Sequence, residues 1–469
     1  MNCYKLRSEE ENMSGLKVGF AQVNINPPLG IGIQGYYVPR YARGFLDDLE
    51  AETLVLSCAG TRIALISVDN CGISTEQVMI YRAAIEAATG LAGDHIWISA
   101  SHTHTAGFLA PTTAFDADPQ VIARYAAFVG ERLVDAVKLA LADLKPGKMA
   151  YIVGRAPKRV AYIRRYKMKD GTTMTCPPVE DTGIDHPIGE LDQRVNVLRF
   201  DREGRESVVL VNYGLHADTV NGDMISADWP GYMRKTVEKT LDGTKCMFFV
   251  GAMGDVGSTN VHPSGGDMND TEISFDNEMK SPGMARFIGH ALAGTILQVF
   301  DKAAYVDVDN IRVIQSNLSV PSNMPTPAEL KLAIRYKELH DAGRDDEIPY
   351  TAMELSTVVA EALRMYRLKD GPEAFTLNMS GMKIGPIALV AIPGQPFTDA
   401  GVAIKDTPGF DLILPCTQTN GSEGYFPSGS AYAEGGYETR TSPYKAGVAE
   451  RIVEEAKALL ERLLEEMKK

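Results

Sequence analysis

His102 and His104 stand two apart in Ala100-Ser-His-Thr-His-Thr-Ala-Gly107, directly after the apolar run His95–Ser99. In extended backbone, residues two apart project to the same side, so both rings can reach one site. Neutral imidazole is the commonest zinc ligand, and a His-x-His pair is one way to present it. The bland alternative is a surface or hydrogen-bonded pair. His216 raises the case for a metal, because it follows the run Ser207–Tyr213 in a similar way and the chain has only eight histidines. Asp69, Asp218, Asp255 and Gln395 also come shortly after strand-like runs. Ligands of open α/β sheets gather there, outside the carboxyl ends of strands.

Other chemistries have less support. Gly251-Ala-Met-Gly-Asp-Val-Gly257 matches neither GxxxxGK[ST] nor GxGxxG in full context, so nucleotide binding is not indicated. There is no GxSxG elbow and no cysteine set beside a histidine in sequence. A Ser or Cys nucleophile therefore has no local signature, although triads are assembled in space.

The elements that must position these residues alternate along the chain. Thr53–Ser57 and Ile63–Val68 read as strands paired around Ala59-Gly60. Further strands are expected at His95–Ser99, Ser207–Tyr213, Met247–Val250, Ile387–Ile392 and Leu412–Leu414, the last opening a long loop, Pro415–Tyr437. Helical spacing marks Glu76–Thr89, Val121–Leu144, Ala285–Phe300, Pro327–His340 and Met353–Tyr366. From Lys445 to Lys469 an apolar stripe including Val448, Ile452, Leu459 and Leu463 faces the body, or forms a short homo-oligomeric seam. The class is α/β, with β-sheets flanked by helices. A helical insertion is expected at about 320–375, within one domain spanning 15–469 and preceded by a disordered leader at 1–14.

The chain has 469 residues, which is long enough for two or three domains, but no Pro/Gly/Ser linker divides it. Its net charge of −14 opposes a nucleic-acid phosphate backbone or an anionic membrane as the main partner. Six scattered cysteines without CxxC suit a reducing compartment. No signal-peptide core or transmembrane run occurs, so a cytoplasmic protein acting on a small molecule is expected.

Several segments, in order, resemble the neutral (alkaline, non-lysosomal) ceramidase family, specifically its catalytic N-terminal domain and that domain's shorter bacterial relatives. Gly19-Phe-Ala-Gln-Val-Asn-Ile-Asn-Pro27-Pro is similar to the family's opening Gly-x-x-x-Asp-Ile-Thr-Pro-Pro, and Arg43-Gly-Phe-Leu-Asp-Asp-Leu-Glu50 to its next strand. Ser101-His-Thr-His-Thr-Ala-Gly107 resembles Thr-His-Thr-His-Ser-Gly, and Ser226-Ala-Asp-Trp-Pro-Gly-Tyr232 resembles Ser-x-Asp-x-x-Gly-Tyr. Gly254-Asp-Val256 with Asn260 is similar to Gly-Asp-Val-Ser-Pro-Asn, Pro393-Gly-Gln-Pro-Phe-Thr398 to Pro-Gly-Glu-x-Phe-Thr, and Tyr437-Glu438 to a late Tyr-Glu.

The resemblance implies one Zn²⁺ held by His102, His216, a tyrosine and the residue at 395. Tyr425 is taken as that tyrosine, with Tyr437 lining the pocket as a catalytic group. His104 would face the substrate as the proton donor to the leaving amine. Arg164, with Arg165 as a near competitor, would contact substrate together with Asp255 and Ser258. The implied activity is hydrolysis of a linear N-acyl amide. An esterase or lactonase on the same site, or an impaired binding protein, is the alternative.

Three departures stand out. Position 395 is Gln, not Glu, which brings an oxygen without charge and leaves Asp399 or Glu423 as substitute ligands; a natural variant and a deliberate substitution read alike. Gly257 replaces the serine of Asp-Val-Ser, with Ser258 next. The chain ends in a helix where ceramidases continue into a β-sandwich, so a soluble substrate is expected rather than membrane ceramide.

Overall fold

The computed structural model describes residues 15–110, 117–262 and 280–465; the leader expected at 1–14 lies outside them. The chain folds into four layers: helices, a large sheet, a smaller sheet and further helices. The large sheet runs, in spatial order, Thr244–Val250, Ser207–Tyr213, Arg194–Arg202, Lys145–Arg155, Lys17–Asn24, Glu50–Cys58, Thr61–Val68 and Ile96–Ala100, with Ala304–Val306 added beside Lys145–Arg155. The smaller sheet is Ile311–Pro321, Ala374–Ile384, Ile387–Ala391 and Leu412–Cys416.

Steady alternation of strands and helices would build a parallel sheet, but most of these pairs are antiparallel hairpins. Within the two main sheets, parallel pairing joins Thr61–Val68 to Ile96–Ala100, Ser207–Tyr213 to Thr244–Val250, and Ile387–Ala391 to Leu412–Cys416. In each of these the crossover carries a helix: Thr75–Thr89, Asp228–Thr240 and Thr398–Lys405.

The strands are apolar on both faces because both are covered. Leu54, Leu56, Leu65, Trp97, Phe200 and Phe249 of the large sheet pack on Met382, Ile384, Leu389 and Leu414 of the small one. The large sheet's outer face buries Ile66, Ile98 and Val55 under helices Thr75–Thr89 and Pro119–Ala142. Its other half buries Val209, Val211 and Phe248 under Asp228–Thr240 and Pro282–Phe300. The C-terminal helix Val448–Glu465 lays Ile452, Ala456, Leu459 and Leu460 on the small sheet.

The large sheet curls until its edge strands face each other, and the segment 417–420 joins them. Ala100 donates its amide to the Gln418 carbonyl at 3.0 Å, Asn420 to Ile98 at 2.8 Å and Thr417 to Val250 at 2.9 Å. Loops from opposite ends of the strand order thereby meet.

Between the hairpin strands Ile311–Pro321 and Ala374–Ile384 lie two helices, Pro327–Asp341 and Ala352–Leu368. A full capping box starts the first: the Thr326 hydroxyl accepts from Glu329 N, and the Glu329 side chain accepts from Thr326 N. Among the described residues no helix is long and apolar enough to cross a membrane.

Candidate active site

His102, His104 and His216 converge where the curled edges meet. The His102 and His216 rings lie 4.8 Å apart between centroids, and His102 Nε2 is 3.2 Å from His104 Nε2. The expected extended backbone is not how the pair is brought together. His102 sits at φ +68°, a left-handed conformation that a histidine enters at some cost and that recurs at functional sites. Asn70 O holds its amide, while His104 N pairs with Ala217 O, tying the two histidine loops together.

Second contacts fix which nitrogen faces inward. The carbonyl of Cys71 accepts from His102 Nδ1, and those of Met253 and Val256 from His216 Nδ1 at 2.8 and 2.9 Å. Both rings therefore present the Nε2 lone pair to the centre, the arrangement typical of metal-ligating histidines. Burial pushes the imidazoles down, His102 to about 3, His104 to about 4 and His216 far below its ordinary value, so all three are neutral at pH 7.

Gln395 and Tyr425 lie opposite each other in a two-strand parallel pair. Gln395 is buried and its Oε1 has no hydrogen-bond partner among the described residues. It shares a cleft with His102, His104 and Tyr425, and a carbonyl oxygen without a donor there is chemically able to serve a cation. The Tyr425 hydroxyl is 3.4 Å from His216 Nε2. Two imidazoles with two oxygen donors form a set that suits zinc.

The buried group Cys71, His102 and His104 also places ligand atoms within 4.8 Å of one another. Cys71 Sγ, however, approaches His102 at Nδ1, at 4.0 Å, whereas His104 faces Nε2. Burial also pushes the thiol up to about 12. Cys71 thus stands on a different edge of the ring from the inward-facing donors.

Arg164 crosses the site. Nη2 donates to the Tyr425 hydroxyl at 3.0 Å and to Gly254 O at 2.9 Å, Nη1 is 3.3 Å from His216 Nε2, and Nε donates to Glu438 at 2.8 Å. Its neighbour Arg165 points elsewhere, to Glu434 and the Gly435 carbonyl. Tyr437 is one step further out: its ring is 5.7 Å from that of Tyr425, and its hydroxyl is 3.3 Å from that of Tyr37.

Asp255 is not at the cleft surface. Its Oδ1 accepts from Thr398 N and Oγ1, both at 2.8 Å, bracing the turn that carries Gln395. Ser258 is buried beside Thr219 on the far side of His216, in a small cavity with Arg164 and Lys280. Asp399 bonds Ser428, and Glu423 accepts from Thr75 at 2.5 Å, so neither substitute carboxylate replaces Gln395 in the donor set.

Further residues support these groups. Asp218 Oδ1 lies 3.6 Å from His104 Nδ1, while Tyr36 and Lys280 both donate to the same carboxylate. Burial raises the Asp218 carboxyl, but the Lys280 charge and the hydrogen bonds from Lys280 and Tyr36 outweigh that and hold it below the ordinary range. Asp228, itself left-handed, accepts from Thr219 N and Val220 N at 2.8 Å, and Trp229 Nε1 donates to His216 O at 3.0 Å. These bonds fix the loop after His216. Gly35 passes so close to His104 that a Cβ there would lie 2.8 Å from the ring. Of these, Asp218 had a sequence signal in its place after a strand, and Asp228 and Trp229 in the segment Ser226–Tyr232.

No protein-family model matches the chain, and neither does any curated protein. Among solved structures, neutral ceramidase from Pseudomonas aeruginosa matches with a TM-score of 0.69 at 17% identity, over 96% of this chain and 75% of that one. A ceramidase complexed with C2 matches with a TM-score of 0.69 at 16% identity, over 96% and 76%. The chain thus has the neutral ceramidase fold.

Proposed function

We propose that the protein is a metal-dependent hydrolase that cleaves a linear amide in a soluble small molecule. The observation that carries this reading is the approach of the His102 and His216 rings to 4.8 Å, each fixed through Nδ1, beside a cleft holding a buried Gln395 Oε1 that has no partner among the described residues. His102, His216, Gln395 and Tyr425 would hold the ion, and zinc fits the donor types. When bound there, the metal supplies Lewis-acid chemistry, acidifying water and polarising a carbonyl oxygen.

The protein's own groups do the rest. His104 offers Nε2 to the centre while Asp218 faces its Nδ1, so Nε2 can take a proton from water and return it to the leaving amine. The Arg164 guanidinium and the Tyr437 hydroxyl flank Tyr425, where they can donate to the oxygen that becomes negative as the carbonyl is attacked. Glu438 and the Gly254 carbonyl hold Arg164 in place.

The test is metal content by ICP mass spectrometry on chain purified without chelators, beside a His102→Ala/His216→Ala control, followed by turnover of matched amides and esters. About one zinc per chain, lost in the control, with amide turnover is the expected result. Faster ester turnover would move the reading to an esterase or lactonase. The uncharged Gln395 favours a second reading, a binding protein without catalysis; absence of metal in both chains would place it first.

A further inference from the structure

The cleft that opens on the candidate centre has a cationic region built by the helical insertion. Its volume is about 600 Å³, in the range of small-molecule sites. His102, His104, Gln395 and Tyr425 line it, and so do Arg364 and Arg367 of helix Ala352–Leu368. These arginines are three apart on the helix, hence neighbours on one face. Arg364 is 4% exposed; Nη1 donates to Asn323 O at 2.7 Å, but Nε is buried without a partner among the described residues. Arg367 is exposed and makes no ion pair among the described residues.

Two nearby acids are committed elsewhere: Glu361 accepts from Arg440 Nε and Nη2 at 2.9 and 2.6 Å, and Glu329 caps its own helix at Thr326. Glu423 is the acid on the cleft wall, where it accepts from Thr75, and the two arginines outnumber it. Tyr37 and Phe375 also line the cleft.

We infer that this region receives a carboxylate, so that the ligand is a linear N-acyl amide carrying an acidic group, such as an N-acylated amino acid. The inference rests on the amide-hydrolase reading for the scissile bond, while the anion site stands on Arg364 and Arg367. Two planar guanidinium forks match a carboxylate in shape and charge, and the unpartnered Arg364 Nε gains the acceptor it lacks. A neutral amide with two hydrocarbon chains would leave that donor buried without a partner.

Calorimetric titration with N-hexanoylglycine and N-hexanoylglycinamide tests this, using the full chain with zinc in a His104→Ala background so that turnover does not consume the probe. The carboxylate should bind at least about tenfold more tightly than the carboxamide, and Arg367→Met and Arg364→Lys should each bring the ratio below about threefold. Because Arg367 is exposed, its variant decides the matter if the Arg364 variant fails to fold. Equal affinity in the parent, or a preference that survives in both variants, overturns the inference. Selective binding without hydrolysis in the chain with His104 intact would keep the anion site and remove the hydrolase reading. Hydrolysis of both probes with equal affinity would do the reverse.

Discussion

Arg164 donates to the hydroxyl of Tyr425 at 3.0 Å, so a permanent cation is bonded to one of the proposed metal ligands. Its other Nη is 3.3 Å from His216 Nε2, a second ligand. Glu438 balances Arg164, but the carboxylate that would offset a divalent ion beside it is missing at Gln395. Gln395→Glu should therefore tighten zinc binding by about ten- to a hundredfold. Competition against a chromophoric chelator measures this, and an unchanged dissociation constant would remove residue 395 from the ligand set.

The three histidines should separate by function. His102→Ala and His216→Ala should each lose the metal. His104→Ala should keep it while kcat falls by roughly 10²–10⁴-fold. Metal analysis and steady-state kinetics on the same preparations check both halves. A metal-free His104→Ala chain would make this residue a ligand instead.

Glu438 is buried between Arg164, at 2.8 Å from Nε, and Thr175, whose hydroxyl donates at 2.8 Å; Arg165 Nε is 3.8 Å away. Glu438→Gln leaves two buried guanidinium groups facing a neutral amide. The expected loss is about 3–5 kcal/mol of unfolding free energy, read by urea denaturation. A loss within 1 kcal/mol, the range of an exposed pair, would show that these arginines are solvated.

Asp255 should impose a pH slope on stability. Burial pushes its carboxyl up to about 6 from an unfolded value near 3.8, against the hydrogen bonds from Thr398 that pull it down. Between those values the native chain keeps a proton that the unfolded chain has lost. The group's contribution is thus full below pH 4 and is lost as pH rises through about 6. Asp255→Asn keeps the acceptor without the charge, so it should gain on the parent by on the order of 2–3 kcal/mol between pH 4 and 7. Parallel stability curves for the two proteins would disprove this.

The junctions between strand and loop were legible in sequence because an apolar run ending in polar residues marks them directly; Ser207–Tyr213 has the expected bounds. Strand Lys145–Arg155 was missed because Lys145-Pro-Gly-Lys reads as a turn, although an antiparallel neighbour stabilises it. Helix Asp228–Thr240 was hidden by Pro230 and Gly231, which its first turn tolerates. At the site, periodicity placed His102, His104 and His216 on loops, but only the family resemblance suggested joining them with Gln395 and Tyr425. In the Asp218–Lys280–Tyr36 cluster only Asp218 had a signal, its place after a strand; the three come from distant segments that packing alone unites.

Segment 417–420 also sets when the centre can exist during synthesis. The histidines leave the ribosome early, on loops at opposite edges of an unclosed sheet, and the strap that unites those edges follows strand Leu412–Cys416. A nascent or prematurely terminated chain lacking that strand would carry every imidazole of the site and still have no place to hold a metal. On the proposed reading, metal capture would thereby come late, once residues 417–425 are in place.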